Sequence, residues 1–127
     1  MPQLVALMDD LMFLSRIREA ARGTAVEVKS VRGTAQLLAA AREDARLVVV
    51  DAETPRVPWR EALAALRADP AGRQIEVIAF LGHERADLAE AARASGASRV
   101  MARGAFVRDL PRLVAAMLKP GAEPPGP

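Results

Sequence analysis

Two acidic signals stand out in this sequence, Asp9-Asp10 and Asp51, each directly after an apolar run: Leu4 to Met8 and Leu47 to Val50. Short apolar runs of this kind read as buried strands, which places the three carboxylates at the carboxyl ends of two strands. Open parallel sheets bind ligands at that end, where the strand order reverses. In a five-stranded sheet ordered 2-1-3-4-5, strands one and three are neighbours at that point, so Asp9, Asp10 and Asp51 converge. Clustered carboxylates raise one another's pKa. A hard divalent cation relieves the repulsion, and Mg²⁺ with one or two carboxylates, a carbonyl and waters suits such a set. A carboxylate beside that cation can accept a phosphoryl group as an aspartyl phosphate. The same residues have a plainer use, because Asp-Asp ahead of a helix is an N-cap and an Asp closing a strand forms a turn.

The elements that must position these carboxylates alternate along the chain as short apolar runs and longer helical stretches, five βα units in all. The first strand, Leu4–Met8, leads to a helix from Leu11 to about Arg22 that Gly23 ends. Val26–Val28 is half polar and belongs near an edge, and Thr34 is a good N-cap for a helix carrying Leu37, Leu38 and Ala41. Leu47–Val50 is the most hydrophobic run and should be central. A loop with Pro55 and Pro58 enters a helix bearing Trp59, Leu63 and Leu66, closed by Asp69-Pro70. Ile75–Phe80 forms the fourth strand, with its helix ending at Ser95-Gly96, and Arg99–Ala102 the fifth. A last helix is expected to start near Asp109, with Pro111 in its first turn. The pattern predicts an α/β fold, a five-stranded parallel sheet with helices on both faces, over residues 1–118. Residues 119–127 hold four prolines and no core former, and are expected to be a disordered tail.

Composition narrows the functional classes. At 127 residues and 51% hydrophobic the chain suits one domain with a real core. Its 18 basic and 16 acidic side chains leave +2, with no basic run and only 3% aromatics, which argues against a nucleic-acid surface. Without cysteine there is no disulfide or thiolate site, and the single histidine, His83, rules out a multi-histidine metal centre. The N-terminus lacks a signal-peptide pattern and no apolar run reaches the ~18 residues of a membrane span. A cytoplasmic protein that touches neither membrane nor nucleic acid is therefore expected. No glycine-rich phosphate loop follows the first strand, and Ser15, Ser30, Ser95 and Ser98 lack a nucleophile-elbow setting, which disfavours nucleotide binding and hydrolase chemistry. His83 falls on the rim of the carboxylates, where it is either a pH-sensitive contact or a surface residue. Trp59 is either a partner anchor or a cover for the core edge. Phe106, placed in a loop, is a candidate interface residue, whereas Met101 and Leu113 read as core.

Over residues 3–118 these features resemble a response-regulator receiver domain, the flavodoxin-like fold typified by the chemotaxis response regulator. The anchors are Asp9-Asp10, Asp51 with the Asp-x-x-x-Pro of Asp51 to Pro55, and Ser95-Gly96-Ala97 before the fifth strand. The resemblance implies Asp51 as phosphoacceptor. It also implies Mg²⁺ held by Asp9, Asp10, Asp51 and the backbone carbonyl of Glu53. Four departures accompany it, one being the absence of the glycine usually found a few residues beyond that proline, where Val57, Pro58 and Trp59 stand. Leu81 stands where receivers carry a Thr or Ser hydroxyl, Arg103 replaces the lysine after the fifth strand, and Gly104 replaces the proline that follows. Arginine keeps the charge with a different shape and donor pattern. The pattern implies a stand-alone atypical, or pseudo-, receiver of bacterial two-component signalling. Such a module docks onto a histidine kinase, an output protein or a second copy of itself, with an altered or absent phosphorylation switch. The alternative is a working Mg²⁺-dependent phosphoacceptor, an enzyme only in catalysing its own phosphorylation on Asp51.

Overall fold

A computed structural model describes residues 1–82 and 85–119. Five strands, β1 (Gln3–Leu7), β2 (Glu27–Val31), β3 (Ala45–Asp51), β4 (Glu76–Leu81) and β5 (Arg99–Ala102), form one sheet. All pairs are parallel and the order is β2-β1-β3-β4-β5, as expected. The helices are α1 (Leu11–Ala21), α2 (Thr34–Ala41), α3 (Trp59–Ala68), α4 (Ala86–Ser95) and α5 (Arg103–Met117), with a short 3-10 turn at Pro70–Gly72.

Side-chain alternation along the strands divides the core in two. Val5, Leu7, Val48, Val50, Val77, Ala79 and Leu81 face α2, α3 and α4. Leu4, Ala6, Leu47, Val49, Ile78 and Phe80 face α1 and α5. β1 and β3, bonded on both sides, are apolar throughout their paired length except at Gln3, Arg46 and Asp51. β2 lies at an edge and runs on to Val31, because Lys29 and Ser30 can pair with β1 while keeping one side open. Gly23 follows α1 with a positive φ of 77°, a conformation cheap only for glycine.

Three expectations are corrected. Gly33, not Thr34, occupies the N-cap of α2, and Thr34 is the first helical residue. α5 begins at Arg103 rather than near Asp109, so Pro111 lies inside the helix, on its exposed side. Phe106 consequently belongs to no loop. It is fully buried and stacks on Phe80 at 4.9 Å and Phe13 at 5.9 Å between ring centres. The cause is periodicity, since Phe106, Leu110, Leu113, Val114 and Met117 make one helical stripe over the sheet. Trp59 is 5% exposed and joins the core beside α3, the role of core cover. His83 and residues 120–127 of the expected tail lie outside the described residues.

Candidate functional site

The carboxyl ends of β1 and β3 open into a cleft of about 450 Å³ lined by Asp9, Asp10, Asp51, Glu53, Thr54, Pro55, Arg56 and Arg103. The three expected carboxylates therefore share one depression, as the strand order requires. Each is already engaged. Asp9 accepts a hydrogen bond from the Thr54 hydroxyl at 2.9 Å and pairs with Arg56 at 3.1 Å. Asp10 caps α1 by accepting from the Phe13 backbone N–H at 3.0 Å, so the plainer capping use holds for this residue.

Asp51 is the last residue of β3 and pairs in register with Phe80. Only 6% of it is exposed, and burial pushes its pKa above the ordinary carboxylate range. The neighbouring charges of Glu53 and Asp10 push the same way, against the Glu53 N–H and the Arg103 guanidinium. The Glu53 N–H donates to Asp51 Oδ1 at 3.0 Å, and Arg103 reaches the same oxygen at 3.4 Å.

Arg103 is positioned by the first turn of α5. Its guanidinium carbon sits 5.0 Å from the centre of the Phe80 ring and 5.3 Å from that of Phe13, so a planar cation rests on the aromatic stack beneath it. From there it spans Asp51 and Glu53, reaching Glu53 Oε1 at 3.3 Å. Glu53 also accepts from the Gly82 backbone N–H at 2.6 Å and pairs with Arg85 at 3.5 Å. Leu81, at the end of β4, is 6% exposed and turned into the α3–α4 core, so it brings no hydroxyl to the cleft.

The oxygen donors of Asp9, Asp10 and Asp51 are those a hard cation selects. Among the described residues, however, no three acidic or histidine side chains gather around one point as metal ligands. A cation that took Asp9 Oδ2 or Asp51 Oδ1 as a ligand would compete with a guanidinium already there. Arg56, with 84% of its side chain exposed, can swing off Asp9 into solvent at small cost.

The side chains of Glu53, Thr54 and Arg56 complete the cleft, with Arg85 pairing to Glu53 from outside it, and reasoning from the strand ends alone misses them. The acid two residues beyond Asp51 was the available signal for Glu53. Nothing in the local sequence links Arg85 to it across 32 positions.

No family model matches the sequence, and no curated relative does. Solved structures do match. A response regulator from Hahella chejuensis superposes with a TM-score of 0.78 at 17% identity, covering 94% of this chain and 97% of that one. The Mn²⁺-bound form of the response regulator Rcp1 gives 0.73 at 14% identity, covering 98% and 100%. The receiver domain of sensor histidine kinase PA1611 from Pseudomonas aeruginosa, with magnesium coordinated in its active-site cleft, gives 0.69 at 19% identity, covering 90% and 98%. At these identities the likeness is one of architecture, and over almost its whole length the chain has the fold of response-regulator receiver domains.

Proposed function

We propose that this chain is an atypical receiver module of two-component signalling that works in the cytoplasm by docking to a signalling protein. In this reading its acid cleft is held in one state by arginines rather than switched by phosphorylation. One observation carries it: Arg103 bridges Asp51 and Glu53 while the neighbouring strand end offers the buried Leu81 in place of a hydroxyl. The rim of the cleft supplies a contact surface, because Leu11 and Met12 at the start of α1 are 69% and 81% exposed beside Asp10. The partner class is a histidine kinase, an output protein or a second copy of this chain.

A second reading draws on the sharing of one cleft by Asp9, Asp10 and Asp51. In a phosphoacceptor, Asp9, Asp10, Asp51 and the Glu53 carbonyl would hold Mg²⁺, which when bound neutralises charge on the incoming phosphoryl oxygens. An Asp51 carboxylate oxygen would form the bond to phosphorus as the donor's leaving group departs, and Arg103 would pair with the resulting phosphoryl charge.

Calorimetry with millimolar Mg²⁺, with and without beryllofluoride as a phosphoryl mimic, separates the two. The docking reading expects no saturable binding that depends on Asp51. Binding in the wild type that disappears in Asp51→Asn refutes it and establishes the phosphoacceptor.

A further inference from the structure

Glu53 lies within reach of three donors that come from separate parts of the fold. The Gly82 N–H at the end of β4 lies 2.6 Å from Oε1, Arg103 of α5 lies 3.3 Å from the same oxygen, and Arg85 before α4 lies 3.5 Å from Oε2. The carboxylate is 28% exposed, and the contact at Gly82 is close enough that a Cβ there would meet Oε1 at 3.1 Å. Two guanidinium groups and one backbone N–H converging beside a cleft form an oxyanion-binding arrangement. Here the anion is part of the chain.

We propose that Gly82, Arg85 and Arg103 form a binding site for a phosphate-class oxyanion and that the Glu53 carboxylate occupies it as a built-in ligand. The inference rests on the docking reading above and gives it a mechanism: Glu53 supplies internally the negative charge around which the ends of β4 and α5 are arranged. The cleft then needs no phosphoryl group to hold its shape. Arg103 is the shared member, since its Nη2 lies 3.4 Å from Asp51 Oδ1 as well. With Glu53 removed, Arg103 keeps Asp51 and Arg85 keeps Asp87, 3.4 Å away, as carboxylate partners among the described residues.

The test is Glu53→Ala with inorganic phosphate as the probe, read by calorimetry and by the backbone amide resonance of Gly82. In the wild type the Gly82 proton should lie downfield, as expected for a short bond to a carboxylate, and phosphate should leave it unmoved. In Glu53→Ala it should move upfield and return downfield as phosphate saturates the site. Adding Arg103→Ala in that background should weaken phosphate about tenfold or more, the factor carried by one charge-assisted hydrogen bond. Failure of Glu53→Ala to bind phosphate overturns the proposal, as does equal binding by the wild type. Glu53→Ser, which also empties the site, gives the same reading if the alanine variant is unstable: phosphate binding above wild type supports the site, and its absence overturns it. Failure of the docking reading is seen separately, as Asp51-dependent beryllofluoride binding in the unmodified chain.

Discussion

Phe106→Ala is the perturbation whose size the structure fixes best. Phe106 has no exposed surface and closes a stack of three rings, with Phe13 and Phe80 4.4 Å apart and Phe106 4.9 Å from Phe80. Truncating a buried phenylalanine costs about 3–5 kcal/mol in transfer and cavity terms, and the lost ring contacts bring the value toward the upper end of that range. For a domain of this length each kcal/mol moves the melting midpoint by about 4 °C, so the variant should melt about 12–20 °C lower. The loss is a large share of the ~5–15 kcal/mol that holds such a domain together. Urea unfolding followed by far-UV circular dichroism measures it directly, with the m-value showing whether the unfolded state has changed. A surface contact residue would lose no more than about 0.5 kcal/mol. A measured loss under about 1 kcal/mol would therefore refute the placement of Phe106 in α5 and return it to the surface. Arg103 rests on the same rings, so Glu53 and Asp51 should also lose a well-placed partner in this variant.

Three further outcomes follow from contacts elsewhere. Burial raises the Glu76 pKa above its ordinary 4.5, more than Arg99, Ser98 and Arg67 lower it, and one of its carboxylate oxygens is buried without a hydrogen bond. A carboxyl raised in the folded state favours folding while protonated and opposes it once ionised. Glu76→Gln should thus melt higher than the wild type at pH 7, with the gap closing as pH falls through the raised folded-state value toward 4.5; a gap independent of pH would refute this. Arg67 donates to the carbonyls of Gly72, Ile75 and Gly96 at 2.8–2.9 Å, so Arg67→Met should cost about 2–4 kcal/mol in chemical denaturation. Asp10→Ala should cost about 1 kcal/mol through loss of the α1 cap, while Asp10→Asn, an equally good cap, should be near neutral, and equal losses in both would show that charge rather than capping matters there.

The fold was legible because hydrophobic runs and helical stretches alternate without ambiguity, and Asp9, Asp10 and Asp51 followed into one cleft from strand order alone. The start of α5 was not. Gly104 reads as a loop residue and Pro111 as a helix opener, yet the apolar stripe running back from Leu110 to Phe106 outweighs both local preferences. β2 was read too short because an edge strand tolerates Lys29 and Ser30, residues that break an apolar pattern without breaking a ladder. In the cleft, periodicity located carboxylates but not their partners. Arg85 meets Glu53 and Arg103 meets Asp51 only through tertiary folding across 32 and 52 positions, where no spacing rule operates.

The division of the core by the sheet also sets an order of assembly during synthesis. β1 sits between β2 and β3, so the chain has both of its neighbours once residue 51 has left the ribosome. α2 has emerged by then, and α3 follows to shelter one side of the nascent sheet. The opposite side has α1 alone until α5, the last of the described elements, emerges. Through that interval Phe13 and then Phe80 present bare ring surface, the kind of transient apolar exposure that holdase chaperones recognise. Released chains truncated between Ala102 and Phe106 should therefore be the most aggregation-prone lengths, and completion of α5 is the step that ends the hazard.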